Sequence, residues 1–508
     1  MSKKNYDSAF CGSLPLHKIN LIQAHGVLLI VGFTDFLIQQ VSENVEKLLQ
    51  KSPAELVDTP LTDYFSPVQL ADVKKKFEDA STAKLPYTLT LEWGGVARDF
   101  LAIIHRKEDA LLIELELSAA SDRSAAFTDI YLDLRHAMAA MDQAGDIAGV
   151  AAIAAEEIKR VSGFDKVLIY RFDADWNGTV IAEVLEEGMD AYLGLTFPAS
   201  DIPQQVRNLY LRNPYRMIPD REGEPVGLYP VINPVSQNFV DLSDCDLRMV
   251  AGVHVEYMRN MKIMASMSIR IIKDDLLWGL FSCHHRTPRQ LSFETCAVLE
   301  FLSNILSARI TSLHNKERFA ALTRLQEVHA KLVEQVYQAD DLVEALTTYP
   351  VTVLNVLGAE GAVILSEKRI DTIGKTPSKN DIKELVLWLY SNNFAQLYQH
   401  DSLASVYDEA AGYASVASGV LSLPLNPEKR EYIIAFRPEV LQSIDWGGDP
   451  STALTFDKDN IHYHPRSSFA SWQQTVKRTA VAWKSYELEV AESFRNFLLE
   501  YKLRKHSF

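Results

Sequence analysis

The sequence predicts an α+β chain of three domains, each an antiparallel sheet with helices, joined by long helices. Three observations carry this. The 508 residues exceed what one hydrophobic core serves, so about three domains of ordinary size is the natural division. Strand-like and helical runs recur together within each third of the chain. Two helical stretches with almost no breakers, about 296–346 and from Ser485 onward, are long enough to join or extend domains.

The segment FCGSLPLHKI (10–19) sets Cys11 on an arm ahead of the first strand. Two readings stay open for it: an incidental free thiol, or a reactive arm that reaches another part of the protein. VLLIVGFTD (27–35) reads as a buried strand turning at Gly32, and VSENVEKLLQ as a short helix. LEWGGVARDFLAIIHRKEDALLIELEL gives several strands, broken at Gly-Gly and at Glu108-Asp109, and the small-residue linker SAASDRSAA (near 118–126) closes this module. A second module opens with a helical stretch around 128–161. KVLIYRF (166–172) and TVIAEVL (179–185) are its first strands, about the turn DADWNG. MASMSIRIIKDDLLWGLFSCHH supplies two more around Lys273-Asp274-Asp275. The third module has GAVILS and EYIIAF as strands, while Leu441 to Trp483 carries both strand and helix signals. In the last helix Val490, Phe494, Phe497 and Tyr501 fall at steps of 4, 3 and 4, which predicts a coiled-coil-like seam.

Composition narrows the function. Apolar residues make up 47% and charged residues 23%, the balance of a globular chain, and a net charge of −16 argues against non-specific nucleic-acid binding. No apolar run approaches the ~18 residues of a membrane span, and MSKKNYDSAF lacks a signal peptide's apolar stretch. Cys11, Cys245, Cys283 and Cys296 show no metal spacing, which points to free thiols in a reducing, cytoplasmic setting.

Four stretches could carry chemistry. In VHVEYMRNMKIMASMSIR (253–270), a helix would put His254, Tyr257 and Met261 on one face, and a strand would project Ser266, Ser268 and Arg270 to one side. That is either one polar wall of a pocket or a surface edge. In CHH (283–285), strand alternation turns His284 away from Cys283 and His285, so the three cannot share a metal. In FPASDIPQQVRNLYLRNPYR (197–216), Pro198 and Pro203 bracket Asp201 in an extended segment of the kind that lines ligands. Arg207, Arg212 and Arg216 follow at helical spacing, with Arg248 later, and offer forks for carboxylates or phosphates, or a solvated basic face. WGGDP (446–450) shares its first letters with a cyclase signature but lacks the acidic and aromatic residues that complete it.

Taken in order, PASDIP (198–203), HVEYMRNM (254–261), LWGLFSCHH (277–285), WGGDP (446–450) and HPRSSF (464–469) resemble the photosensory core of the bacterial phytochromes, over essentially the whole chain. The resemblance implies an N-terminal arm and PAS domain (1–120), a GAF domain (121–310), a PHY domain (311–484) with a tongue at about 440–484, and a C-terminal helix (485–508). It implies a figure-of-eight knot that carries the arm through a GAF insertion. Cys11, followed by Pro15 and His17, matches the thiol that holds biliverdin IXα as a thioether. Val253 stands where plant and cyanobacterial relatives carry theirs. Asp201 with Ile202 and Pro203, and His254, match the surround of the pyrrole nitrogens. Arg216, Arg248, Ser266 and Ser268 match the propionate contacts. Tyr170, Phe197, Tyr257 and His284 match the D-ring pocket, and Tyr210 a tyrosine near the chromophore. Arg466 is expected to pair with Asp201 in Pr and to give way to Ser468 in Pfr, with Trp446 and Trp483 exchanging places as the tongue refolds. Ile19-Asn20 in place of Pro-Gly, and QAHG in place of QPHG, depart from the pattern.

The implied function is a red/far-red photoreceptor acting as a homodimer on a histidine kinase or diguanylate cyclase. Neither lies in residues 1–508, so catalysis is not expected from them, and no nucleic acid or membrane is expected as a partner. The rival reading is a non-photochromic PAS–GAF sensor of a small ligand such as a cyclic nucleotide, which has no use for Cys11.

Overall fold

A computed structural model describes residues 18–79, 84–93, 96–116, 127–366, 369–450, 454–456 and 463–505, so Cys11, Pro15 and His17 lie outside the described residues. Two compact units form: Met1–Thr311 with Asp445–Trp472, and Ser312–Ile444 with Gln473–Phe508.

The first unit opens with β1 (Leu21–Ile22), β2 (Gly26–Gly32), β3 (Ile38–Ser42), β4 (Lys84–Trp93), β5 (Val96–Lys107) and β6 (Ala110–Glu116). Every residue of β2 is buried. Val27, Leu29 and Val31 pack with Val73 and Phe77 of the helix Pro67–Asp79, and Leu28 and Ile30 pack with Leu228, Leu242 and Leu247 on the other face. A strand covered on both faces reads as one apolar run, which is why VLLIV does not alternate.

Seven strands follow: β7 (Lys166–Phe172), β8 (Gly178–Leu185), β9 (Thr196–Phe197), β10 (Tyr215–Ile218), β11 (Val226–Tyr229), β12 (Ala265–Lys273) and β13 (Leu276–His285). β11 leaves its neighbours in sequence and joins the first sheet, whose order is β1-β11-β3-β2-β6-β5-β4. Leu21 pairs with Gly227, and Leu228 with Ser42. On the other edge of β1, the Gln23 amide donates to the Leu247 carbonyl (2.7 Å) and the Met249 amide to the Leu21 carbonyl (3.0 Å). Residues 20–23 thus run between two parts of one excursion of the chain, 226–228 and 247–249.

The second sheet has the order β10-β12-β13-β7-β8-β9, extended past β9 by Gln442–Gly447 and Ser471–Val476. The helical stretch expected around 128–161 is two helices, Phe127–Gln143 and Ile147–Ser162. Gly145 falls in the break, and the Asp146 carboxylate caps the second helix by accepting from the Gly149 amide (2.8 Å).

The helix expected over 296–346 runs Phe293–Gln338, 46 residues. It stops because Asp341 accepts from the amides of Val343 (2.7 Å) and Glu344 (3.1 Å) and so starts a new helix, Leu342–Thr347. One 18-residue window of the long helix reaches a mean hydropathy of 1.3. Within it Leu299, Leu302, Leu306 and Ile310 are buried, a stripe at helical spacing that faces the protein core.

The second unit holds β14 (Gly361–Ser366), β15 (Arg369–Gly374), β16 (Tyr398–His400), β17 (Gly419–Asn426) and β18 (Glu431–Arg437) in the antiparallel order β15-β14-β18-β17-β16. The last helix, Ser485–Lys505, packs its apolar stripe within its own unit. Val490 and Phe494 are buried against Leu421, Leu423 and Ile433 of the sheet, with Phe497 and Tyr501 packed beside them. Without this helix the apolar face of β17 and β18 would meet water.

Candidate functional site

A cavity of about 510 Å³ lies in the first unit, between the face of β7, β12 and β13 and three segments laid over it. These are the turn Ala199–Asp201 and the helices Gln204–Arg212 and Gly252–Asn260. Tyr170, Phe197, Asp201, Ile202, Pro203, Tyr210, Arg216, Arg248, His254, Tyr257, Ser266, Ser268 and His284 all line it.

Strand and helix periodicity explain the convergence. Ser266 lies opposite His284 and Ser268 opposite Ser282 in the β12–β13 register, so four polar side chains share one face. The Ser282 hydroxyl and His284 Nε2 are 2.9 Å apart. Cys283 is buried on the other face, and His285 Nδ1 pairs with Asp165 at 2.6 Å, so the three ligand-like residues go to three places. One helical turn stacks His254 on Tyr257, ring centroids 6.0 Å apart and 10° from parallel. Tyr170 spans the sheet to donate to the Phe197 carbonyl (3.4 Å). Any Cβ on Gly178 would sit 1.6 Å from the Tyr170 ring, so the neighbouring strand needs glycine there.

The three arginines expected at helical spacing do not share a helix. The helix ends at Arg212, because Asn213 precedes Pro214 and is pushed out of helical conformation. Arg207 turns back to donate to the Ile202 carbonyl (2.6 Å) and lies over the Trp176 ring (4.6 Å). Arg212 meets Asp244 in solvent (3.5 Å), and Arg216 lies half-buried on β10.

The electrostatics of the cavity are unbalanced. Arg216 Nη1 donates to the Asp246 carbonyl (2.7 Å) and Nη2 to the Arg248 carbonyl. Burial, then the Arg248 charge, pull the Arg216 guanidinium down to about 9. Arg248 is 8% exposed and its buried Nη1 has no partner. The wall's carboxylates, Asp201 and Asp246, are already taken by Arg466 and Lys84. Burial and then Arg216 push His25 and His254 down to about 4, and burial and then Lys166 push His284 down to about 3. The imidazoles are therefore neutral, and two guanidinium groups remain to be matched by an anionic ligand. An elongated, flat, conjugated molecule with two carboxylates fits this donor set and the aromatic walls.

Comparison with known proteins finds relatives over nearly the whole chain. Residues 11–118 match the PAS fold, 146–310 the GAF domain and 325–507 the phytochrome region. Cyanobacterial phytochrome B of Nostoc sp. is 36% identical over 98% of this chain and 67% of its own length. The bacteriophytochrome of Xanthomonas campestris pv. campestris is 34% identical over 98% of this chain and 79% of its own length. The chain belongs to the phytochrome family. Among solved structures, the R. palustris bacteriophytochrome superposes with a TM-score of 0.86 at 34% identity, covering 97% of this chain and 99% of that one. The phytochrome photosensory core module of Stigmatella aurantiaca gives 0.84 at 32%, covering 97% and 98%. This chain spans about two thirds of the cyanobacterial phytochromes it matches, 67% and 66%.

One stretch of the phytochrome region, Asp445–Trp472, belongs to the first unit. There Arg466 Nη2 pairs with Asp201 Oδ1 (2.6 Å), and Tyr257 donates to Asp201 Oδ2 (3.0 Å). Burial raises the Asp201 carboxyl, with Arg466 and Tyr257 pulling the other way. Arg466 Nη1 donates to the Gly447 carbonyl (2.5 Å), and Asn260 donates to the Arg466 carbonyl (3.0 Å). The segment is β-structured here: β19 (Gln442–Gly447), β20 (Leu454–Phe456), β21 (Tyr463–Pro465) and β22 (Ser471–Val476), with β20 and β21 paired. Trp446 is buried where it pairs in parallel with Thr196, and in the second unit Trp483 donates to the Leu357 carbonyl (2.8 Å). In this arrangement Arg466, not Ser468, holds Asp201.

Sequence reasoning missed Tyr192, which lines the phytochrome cavity from the loop between β8 and β9. It also missed Lys18 and Ile19, the first described residues, which reach the cavity edge. Nothing in the local pattern of EEGMDAYLG marks Tyr192, because a loop carries no periodicity.

Proposed function

We propose that this phytochrome is a red/far-red photoreceptor core that holds biliverdin IXα as a thioether on Cys11 and passes its state to an output module through the Asp445–Trp472 tongue. The observation that carries the reading is the pair Arg216 and Arg248 in the cavity wall, where Arg248 Nη1 is buried without a partner and the wall's carboxylates are already engaged. A dicarboxylic bilin supplies what that pair lacks, and Ser266 and Ser268 stand beside it as further donors. When bound, the bilin absorbs the light and isomerises between its C and D rings, the change named Pr to Pfr.

The chain's own residues then have distinct tasks. Neutral His254 and the Asp201 carbonyl offer acceptors to pyrrole N–H groups. Tyr170, Phe197, Tyr257 and His284 wall the end where a ring turns, and exclude water from it. The Asp201–Arg466 pair latches the tongue in its β form, and Ser468, two residues on, is the replacement donor when the latch opens. A segment with two packings a few kcal/mol apart is what such a switch requires. Cys11 is seven residues before Lys18, a span of at most about 25 Å when extended. The enclosure of residues 20–23 by 226–228 and 247–249 supports a threaded arm that delivers it. Output through a histidine kinase or diguanylate cyclase, a homodimer and a cytoplasmic setting belong to the same reading.

The test is to assemble wild type and Cys11→Ala with biliverdin and record spectra under alternating red and far-red light, then denature both. Reversible conversion, with pigment retained after denaturation by wild type alone, is expected. Pigment retained equally by the variant would remove Cys11 from its role. No conversion in either would favour a non-photochromic ligand sensor.

A further inference from the structure

Behind the cavity wall lies an ion pair that none of the ligand contacts above uses. Lys166 opens β7 and Glu183 lies on β8; their side chains are 2% and 3% exposed, with Nζ and Oε1 3.1 Å apart. Two charges withdrawn from water are costly to a fold, and apolar residues of similar volume would fill the space as well. The pair does what apolar residues could not. Glu183 accepts from the Tyr192 amide (3.0 and 2.9 Å) and the Leu193 amide (3.1 Å). Lys166 donates to the Asp190 carbonyl (2.5 Å), and its Nζ stands 3.3 Å from the centre of the Tyr192 ring. Backbone and ring of one residue are fixed by one pair.

That residue touches both sides of the proposed switch. Tyr192 lines the cavity and meets Phe197 edge-on, centroids 5.7 Å apart at 71°. It also meets Phe469 of the Asp445–Trp472 segment at 6.4 Å, and Phe469 in turn stands edge-on to Tyr257 at 5.3 Å. We propose that Lys166 and Glu183 are positioning residues that hold Tyr192 as a contact between the cavity and Phe469, and so set how strongly the state of the cavity is felt by the tongue. This rests on the photoreceptor reading above.

The experiment compares wild type with Lys166→Met/Glu183→Leu, which removes both charges together and so leaves neither buried alone. Lys159→Ala is the control, since it breaks the pair that joins Lys159 of the helix Ile147–Ser162 to Glu186 at the start of the same loop. In the apoprotein, amide hydrogen exchange at Tyr192 and Leu193 is expected to rise about tenfold or more in the double variant, from the loss of charge-assisted hydrogen bonds. In the biliverdin-assembled protein, the light-to-dark ratio of protease cleavage within 445–472 is expected to fall toward one and the red/far-red difference spectrum to shift. The control is expected to change neither the cleavage ratio nor the spectrum. Exchange unchanged at Tyr192 and Leu193 would overturn the positioning role. Faster exchange with wild-type spectrum and cleavage ratio would overturn the coupling role. A wild type that takes up no biliverdin would overturn the reading beneath as well, while the exchange result would still stand on its own.

Discussion

Arg466 Nη2 lies 2.6 Å from Asp201 Oδ1, a guanidinium and a carboxylate brought together from 265 residues apart and both nearly sealed from water. Removing Arg466 leaves the buried Asp201 with only the Tyr257 hydroxyl to answer its charge, and breaking a buried pair in this way typically costs about 3–5 kcal/mol. Arg466→Ala is expected to undock Asp445–Trp472, because it also frees the Gly447 carbonyl. Limited proteolysis should show faster cleavage there, with the rest of the first unit as resistant as before. Equal resistance across 445–472 would mean that the pair does not hold the segment.

Gly448 makes a second, backbone-level demand on the same docking. Its φ of +101° and a would-be Cβ 2.4 Å from the Ser468 carbonyl exclude other side chains. Gly448→Ala is expected to cost the local structure about 1–3 kcal/mol and to mimic Arg466→Ala in proteolysis. Gly412→Ala, where nothing lies within 4 Å, should behave as wild type. A Gly448→Ala protein indistinguishable from Gly412→Ala would contradict the close approach.

The neutral imidazoles give a pH dependence with a definite sign. His25 and His254 protonate only near 4 and His284 near 3 in the folded chain, against 6.5 when free. Between those values the unfolded chain binds more protons, so stability is fully present above about 6.5 and declines as pH falls. Each group contributes up to ~1.4 kcal/mol per pH unit across its window. Urea midpoints of the apoprotein at pH 7.5 and 5.0 should differ more in wild type than in His254→Gln/His284→Gln. Parallel pH dependence in the two proteins would refute the assignment.

Esterified ligand probes the arginine pair without touching the chain. If Arg216 and Arg248 grip carboxylates, biliverdin dimethyl ester should bind at least about tenfold more weakly than biliverdin, since a hydrogen bond to a charged group is worth ~1.5–3 kcal/mol. Equal affinity by spectral titration would assign the pair to some other anion.

Much of the site was legible where chemistry follows a short period. Two-residue alternation put Ser266 with Ser268 and turned His284 away from Cys283, a single helical turn put His254 over Tyr257, and strand register then joined the two strands' polar residues on one face. Arg216 was misread because the same Arg-Asn-Pro that stops the helix looks, by spacing alone, like its continuation. The last helix was read correctly as a helix, yet its stripe faces Leu421 and Ile433 of its own unit, a choice made by a sheet folded from elsewhere in the chain. Tyr192 could not be found at all, since the Lys166–Glu183 pair that fixes it is a matter of strand register. Pairings of high sequence separation set these outcomes, and local patterns do not carry them.

The enclosure of residues 20–23 bears on the order in which the molecule can be assembled. A ribosome releases that strand long before either of its flanks, 226–228 and 247–249, has been made. The Gln23 side chain must wait for a bond to the Asp246 carbonyl 223 residues later, roughly 10–45 s at ordinary translation speeds. In the cell the excursion that carries β11 can close around a strand already laid down. A fully denatured chain has no such sequence of arrival, and residues 20–23 must find their way between two edges that are forming at the same moment. Refolding from denaturant is expected to be slower and less complete than synthesis, for a reason that lies in connectivity and leaves the native state's stability untouched.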